Sequence, residues 1–204
     1  MHKILRALII SDLFLLGGFA LVQPIFAIFM LQGVAGATIT AVGVATAIQL
    51  LTKGLLQIFV AKWTDAEPGN RRELLTLFIG SLILCAVPFG LMYASTLWQV
   101  YWLLFAYGLG GALSFPGWMV IFLSYSRKEQ AGYEWSIYNT TISFGMALAA
   151  VLGAYLADFY SFRLLFFIVG ILSLVGAFFI VFIFKHEYTR WHLEGYSKKS
   201  AEKK

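Results

Sequence analysis

Charge is what this sequence has least of. Asp, Glu, Lys and Arg make up 12% of its 204 residues, about half of the roughly 25% that a water-facing domain carries. That shortage excludes an ordinary soluble surface. Cysteine is scarcer still. Cys85 stands alone, so no internal disulfide can form and no thiolate metal site has a second ligand. The three histidines, His2, His186 and His192, lie near the termini, so no metal centre or catalytic triad can assemble in the apolar region between them. No G-x-x-x-x-G-K-[ST] phosphate loop occurs, which excludes ATP-driven transport by this chain alone. Neither an enzyme nor a cofactor is expected. The net charge of +5 would suggest nucleic acid in a soluble protein. Here the basic residues sit in short links and a tail, where they read as topology signals, and no nucleic-acid partner is expected.

What the chain has instead is apolar length. Hydrophobic residues make up 60% of it, and a helix crossing a bilayer needs about 20 of them in a row. Six runs qualify: 4–31, 38–61, 74–94, 97–125, 135–157 and 164–184. The expected fold is an all-α membrane protein whose lipid-embedded bundle fills residues 1–184, followed by a basic cytoplasmic tail, 185–204. The first run contains Asp12 and Pro24 and is nearly twice as long as the 7–15-residue core of a signal peptide. It therefore reads as a span and not as a cleaved leader.

Orientation follows from lysine and arginine. With the N-terminus inside, thirteen of the fifteen basic residues are cytoplasmic, Arg163 is outside and Lys53 lies within a span. This predicts a multi-pass protein of the cell (cytoplasmic or inner) membrane with both termini in the cytoplasm. Aromatic anchors agree, Tyr93, Trp98, Tyr101 and Trp102 clustering at one interface and Trp63, Tyr125, Tyr133 and Trp135 at the other.

The halves of the chain also echo each other. Gly17-Gly18 followed by Ala20-Leu21 and Pro24 returns as Gly110-Gly111 followed by Ala112-Leu113 and Pro116. Asp65, Arg71 and Leu74-Leu75 return as Asp158, Arg163 and Leu164-Leu165. The repeat falls after three spans, an odd number, so the second copy is expected upside down. That predicts two inverted three-helix repeats, about 1–95 and 96–184, an arrangement of secondary transporters whose rocking gives alternating access.

At this point the sequence resembles the major facilitator superfamily, specifically its N-terminal six-helix half. The family's loop after span two, G-x-L-a-D-R-x-G-R-R, is matched by Asp65, Gly69, Arg71 and Arg72, with Ala61 at the first Gly and one residue inserted near Pro68. In span four, Gly108, Gly110, Ala112 and Pro116 fit the pattern, and Leu104 occupies the position of an Arg. In span five, Gly145, Ala149, Ala150, Gly153 and Ala154 resemble the antiporter element, without its Pro. The resemblance implies that spans one, two, four and five line a cavity. It also implies that Asp65 with Arg71 and Arg72 forms a cytoplasmic latch, closing on the start of span five of a facing bundle near Glu134 to Ser136. The family usually has two such bundles with substrate between them.

Candidate pathway residues are the polar ones within spans, which are costly in lipid and usually face a cavity or one another. Asp12 and Lys53 each lie roughly 12–14 Å from the cytoplasmic boundary at about 1.5 Å per residue, and an ion pair between them is expected. Gln49, Lys53 and Gln57, with Thr46, form a stripe on span two. Gln23 shares a face of span one with Asp12, and Ser136, Asn139, Thr140 and Ser143 share a face of span five. Tyr107 and Trp118 are candidate aromatic walls. Helix–helix hydrogen bonding is the structural alternative for these stripes. Gly108, Gly110, Pro116, Gly145 and Gly153 are assigned to close helix packing.

Three functional readings follow. The first is a half-sized secondary transporter of a small molecule, working as a homodimer. The second is a non-transport scaffold or accessory subunit. The third is a half that pairs with a different half-transporter.

Overall fold

The computed structural model of the protein describes residues 2–66 and 71–201, with side chains as far as 184. Residues 67–70, which carry Pro68 and Gly69 of the loop motif, and the side chains of the basic tail lie outside the described residues.

The described residues are helical nearly throughout. The elements are α1 (Lys3–Ala20), α2 (Phe26–Gly33), α3 (Ile39–Asp65), α4 (Arg71–Leu91), α5 (Leu97–Tyr125), α6 (Ala131–Phe159) and α7 (Phe162–Ala201). Six helical stretches among them are long and apolar enough to cross a membrane, α1 and α2 together forming the first. The apolar part of α7 ends near Phe184, but its helix continues to Ala201, so the backbone of the expected tail is helical over most of its length.

Local chemistry sets the breaks. Pro24 lies in a 3-10 turn, Gln23–Ile25, that separates α1 from α2, because its ring nitrogen cannot donate to the preceding turn. Its sequence counterpart Pro116 is carried inside an unbroken α5. Thr38 caps α3 by accepting the Ala41 N–H at 3.2 Å. The Gln99 side chain reaches back over the start of α5 and accepts the Ser95 and Thr96 N–H groups at 2.8 and 3.1 Å.

Packing gives each element a defined neighbourhood. Helix α5 lies against α3 and α4, α1 lies against α6 and α7, and α4 lies against α7. Two polar bonds reinforce these contacts: the Ser11 hydroxyl donates to the Gly176 carbonyl at 2.9 Å, and the Cys85 thiol to the Ser173 carbonyl at 3.0 Å. Cys85 is thus a buried inter-helix contact.

The backbones approach closely where the small residues lie. A Cβ at Gly108 would sit 2.5 Å from the Gln49 carbonyl oxygen and 2.8 Å from the Thr52 Cβ. At Gly110 it would lie 3.0 Å from the Gly80 carbonyl, and at Gly145 it would collide with the Leu13 side chain. At Gly153 it would overlap the Leu21 carbonyl, where α6 presses on the break after α1. Backbone cannot swing aside as a side chain can. Gly153→Ala is therefore expected to destabilise the bundle by about 1–3 kcal/mol, seen as a lower unfolding temperature of the purified protein. An unchanged temperature would show that α6 does not sit this close.

Candidate functional site

A cavity of about 520 Å³ opens between α1 and α3. Gln23 and Phe19 line it from the first span, Thr46 and Gln49 from α3, and Tyr107 and Leu104 from α5. The wall is mostly apolar, with the two amides, the tyrosine and Thr46 as its polar points. Phe19 and Tyr107 pack at 4.3 Å between ring centroids. The Thr46 hydroxyl donates within its own helix, to the Val42 carbonyl at 3.0 Å. Three residues that the sequence placed on separate spans, Gln23, Gln49 and Tyr107, therefore meet at one cavity.

The expected Asp12–Lys53 ion pair does not form. Asp12 is buried and accepts a hydrogen bond from the Tyr138 hydroxyl at 2.9 Å. Lys53 extends over the Phe115 ring, its Nζ 5.1 Å from the centroid. Packing explains the error. These two spans follow one another in sequence but pack on different helices: α1 lies on α6 and α7, whereas α3 lies on α5. The two helices face each other across the cavity.

Tyr138 was not singled out from the sequence. It sits between Ser136 and Asn139, which suggested a polar face, yet the helix presents Glu134, Tyr138 and Ile142 inward and leaves Ser136, Asn139, Thr140 and Ser143 exposed. The Asn139 amide donates to its own helix, at the Trp135 carbonyl, 3.1 Å away. The usable signal was spacing: 134, 138 and 142 recur every four residues on one helical face. Around Tyr138 lies an aromatic shell, with Trp118 at 4.9 Å and Trp135 at 5.2 Å between centroids. Trp118 is buried in this shell, away from the cavity lining, and its indole N–H has no hydrogen-bond partner among the described residues. Gln57 lies half-buried two turns beyond Gln49 on α3.

The latch residues gather at the other end of α3. Arg72 donates to the Trp63 carbonyl at 2.9 Å and stacks over the Trp63 ring at 4.7 Å. Asp65 ends α3 and is exposed, and Arg71 opens α4. Glu134 is turned inward, where its carboxylate accepts the Ser126 hydroxyl at 2.7 Å and the Arg127 N–H at 3.1 Å. His2 stacks on Tyr125 at 4.5 Å, tying the beginning of α1 to the end of α5. At the opposite end Arg163 lies over Tyr93, 4.9 Å from its centroid.

Comparison with known proteins agrees with this architecture. Among solved structures, the in meso crystal structure of the POT family transporter PepTSo matches with a TM-score of 0.69 at 18% sequence identity, over 89% of this chain. The chain spans 37% of that transporter's length. No curated protein sequence matches. The family model described as Major Facilitator Superfamily matches residues 8–203, nearly the whole sequence. The chain is an all-α, multi-pass membrane protein and belongs to the major facilitator superfamily.

Proposed function

We propose that this protein is a half-sized secondary active transporter of a small molecule, and that two copies enclose the substrate path and work by alternating access. The observation that carries the reading is the uneven burial of the spans. Only 11% of the most apolar stretch of α3 and 17% of that of α6 are buried by the bundle, against 44–50% in the other four. The uncovered faces are not simply lipid-like. Helix α3 presents Gly43, Ala47 and Gly54, and α6 presents Ser136, Asn139 and Ser143. Small and polar residues are the ones that join helices inside a membrane.

Symmetry of packing supports inverted repeats. Exchange the first span with α5, α3 with α6, and α4 with α7. The principal contacts then map onto one another: α3 with α5 onto α6 with α1, α4 with α5 onto α7 with α1, and α4 with α7 onto itself. Two such units can rock about the close contacts at Gly108 and Gly153 without losing them. In this reading both termini face the cytoplasm. Asp65 is the inner latch. An acid at a helix C-terminus is held against the dipole, and the N-terminus of the partner's α6 would relieve it.

Cysteines at Asp65 and Ser136, both exposed, test the pairing; Glu134 is unsuitable because it is buried. A disulfide-linked species of twice the chain mass is expected in liposomes. A protein that stays monomeric in both mild detergent and lipid would overturn the homodimer.

A further inference from the structure

We propose that the transported molecule is a small organic anion and that Lys53 receives its charge. The proposal rests on the transporter reading above. Lys53 is midway along α3, with Ile39 and Asp65 at the ends; at about 1.5 Å per residue these lie about 21 and 18 Å away. A lysine stem is too short to carry its ammonium to either interface. A cation at this depth is costly unless it is paired or faces a watered path.

Among the described residues no acid is placed to pair with it. Of the ten acidic residues, Asp12 alone lies deep in a span, and it is buried and taken by Tyr138. Asp65 and Asp158 lie at helix C-termini, and Glu73 and Glu134 lie in first turns. The others are in links or the tail. A second copy brings a second Lys53 and a second Asp12, the latter buried against Tyr138 in its own bundle. The charge is instead parked on the Phe115 face, a weak and neutral partner.

Lys53 also lies one turn beyond the cavity lining on the same helix. On α3, Thr46 and Gln49 line it, and Lys53 is the next residue on that face. On α5, Tyr107 lines it, and Gly111 and Phe115 follow. The Lys53 stem crosses at Gly111, where a Cβ would lie 3.3 Å from its Cδ. Apolar walls and two amides around a cavity of about 520 Å³, with a cation one helical turn further along α3, fit an anion with an apolar body.

The test uses the full chain in lipid nanodiscs, with benzoate, hexanoate and benzenesulfonate against benzamide and benzylammonium. The anions are expected to raise the unfolding temperature of the native protein and of Lys53→Arg. In Lys53→Met their apparent affinity should fall about tenfold or more. An undiminished response in Lys53→Met, a preference for benzylammonium or benzamide, or no response of the native protein to any anion would overturn the assignment. Liposome flux separates this inference from the one beneath it. Flux of benzamide or benzylammonium without flux of the anions leaves a transporter and removes the anion. Lys53-dependent anion binding with no flux of any probe keeps the anion site and removes the transporter.

Discussion

Tyr138→Phe is expected to cost the protein about 1–3 kcal/mol, although it removes a single oxygen. That hydroxyl is the donor to Asp12 at 2.9 Å, and both residues are buried, at 8% and 9% exposure. A buried polar group stripped of its partner keeps its full desolvation cost. Asp12→Leu should be damaging for the converse reason, since it strands the tyrosine hydroxyl. Replacing both partners with apolar side chains leaves nothing unpaired, so Asp12→Leu with Tyr138→Phe should be more stable than either single variant. The measurement is a double-mutant cycle on unfolding temperature. Additive losses would mean that the two groups do not depend on one another. Asp12→Asn keeps an acceptor oxygen for Tyr138 and should fold. Its flux therefore reports whether the carboxyl group does anything beyond holding α1 to α6.

That pair also shows where sequence reading stops. The six spans were legible because lipid demands long apolar runs, and apart from α7, which continues to Ala201, their helices extend into the flanking polar residues by only a few positions. Gln23, Gln49 and Tyr107 were legible as polar residues in spans, and they share one cavity. Partners were not legible. Asp12 and Lys53 have opposite charge, similar depth and neighbouring spans, yet they separate because α3 goes to α5 and α1 goes to α6 and α7. Helix neighbours are decided by close-packing at positions such as Gly108 and Gly153, and single-sequence periodicity does not say which helix fills which groove. The stripe on α6 was legible as a polar face, but which way it points was not. Its residues are exposed, and the inward face belongs to Glu134, Tyr138 and Ile142. The outward polar face is the more informative result, because it needs a partner.

Gly54→Phe is the substitution that asks whether that partner is a second copy. In the single chain a Cβ at Gly54 meets nothing within 4 Å, and the same holds at Gly43, about three turns away on that face. The bundle itself has no reason to object to a larger residue there. Replacing a mid-helix glycine should even favour α3 slightly, by a few tenths of a kcal/mol, and a phenylalanine facing lipid is welcome. If lipid covers this face, the variant should fold, and carry flux, like the native protein. If the α6 of a second chain packs against it, a ring at Gly54 holds the two backbones apart. Cross-linking between Asp65→Cys and Ser136→Cys and flux into liposomes should then both fall about tenfold or more, while the unfolding temperature of the separated bundle is unchanged or higher. Gly108→Phe is the contrasting case, because its Cβ already meets the Gln49 carbonyl and the bundle itself should fail. Stability and flux moving in opposite directions at Gly54, and together at Gly108, would place the second wall of the transport path against α3. Native flux and native cross-linking in Gly54→Phe would put lipid at this part of α3 and remove the proposed contact there.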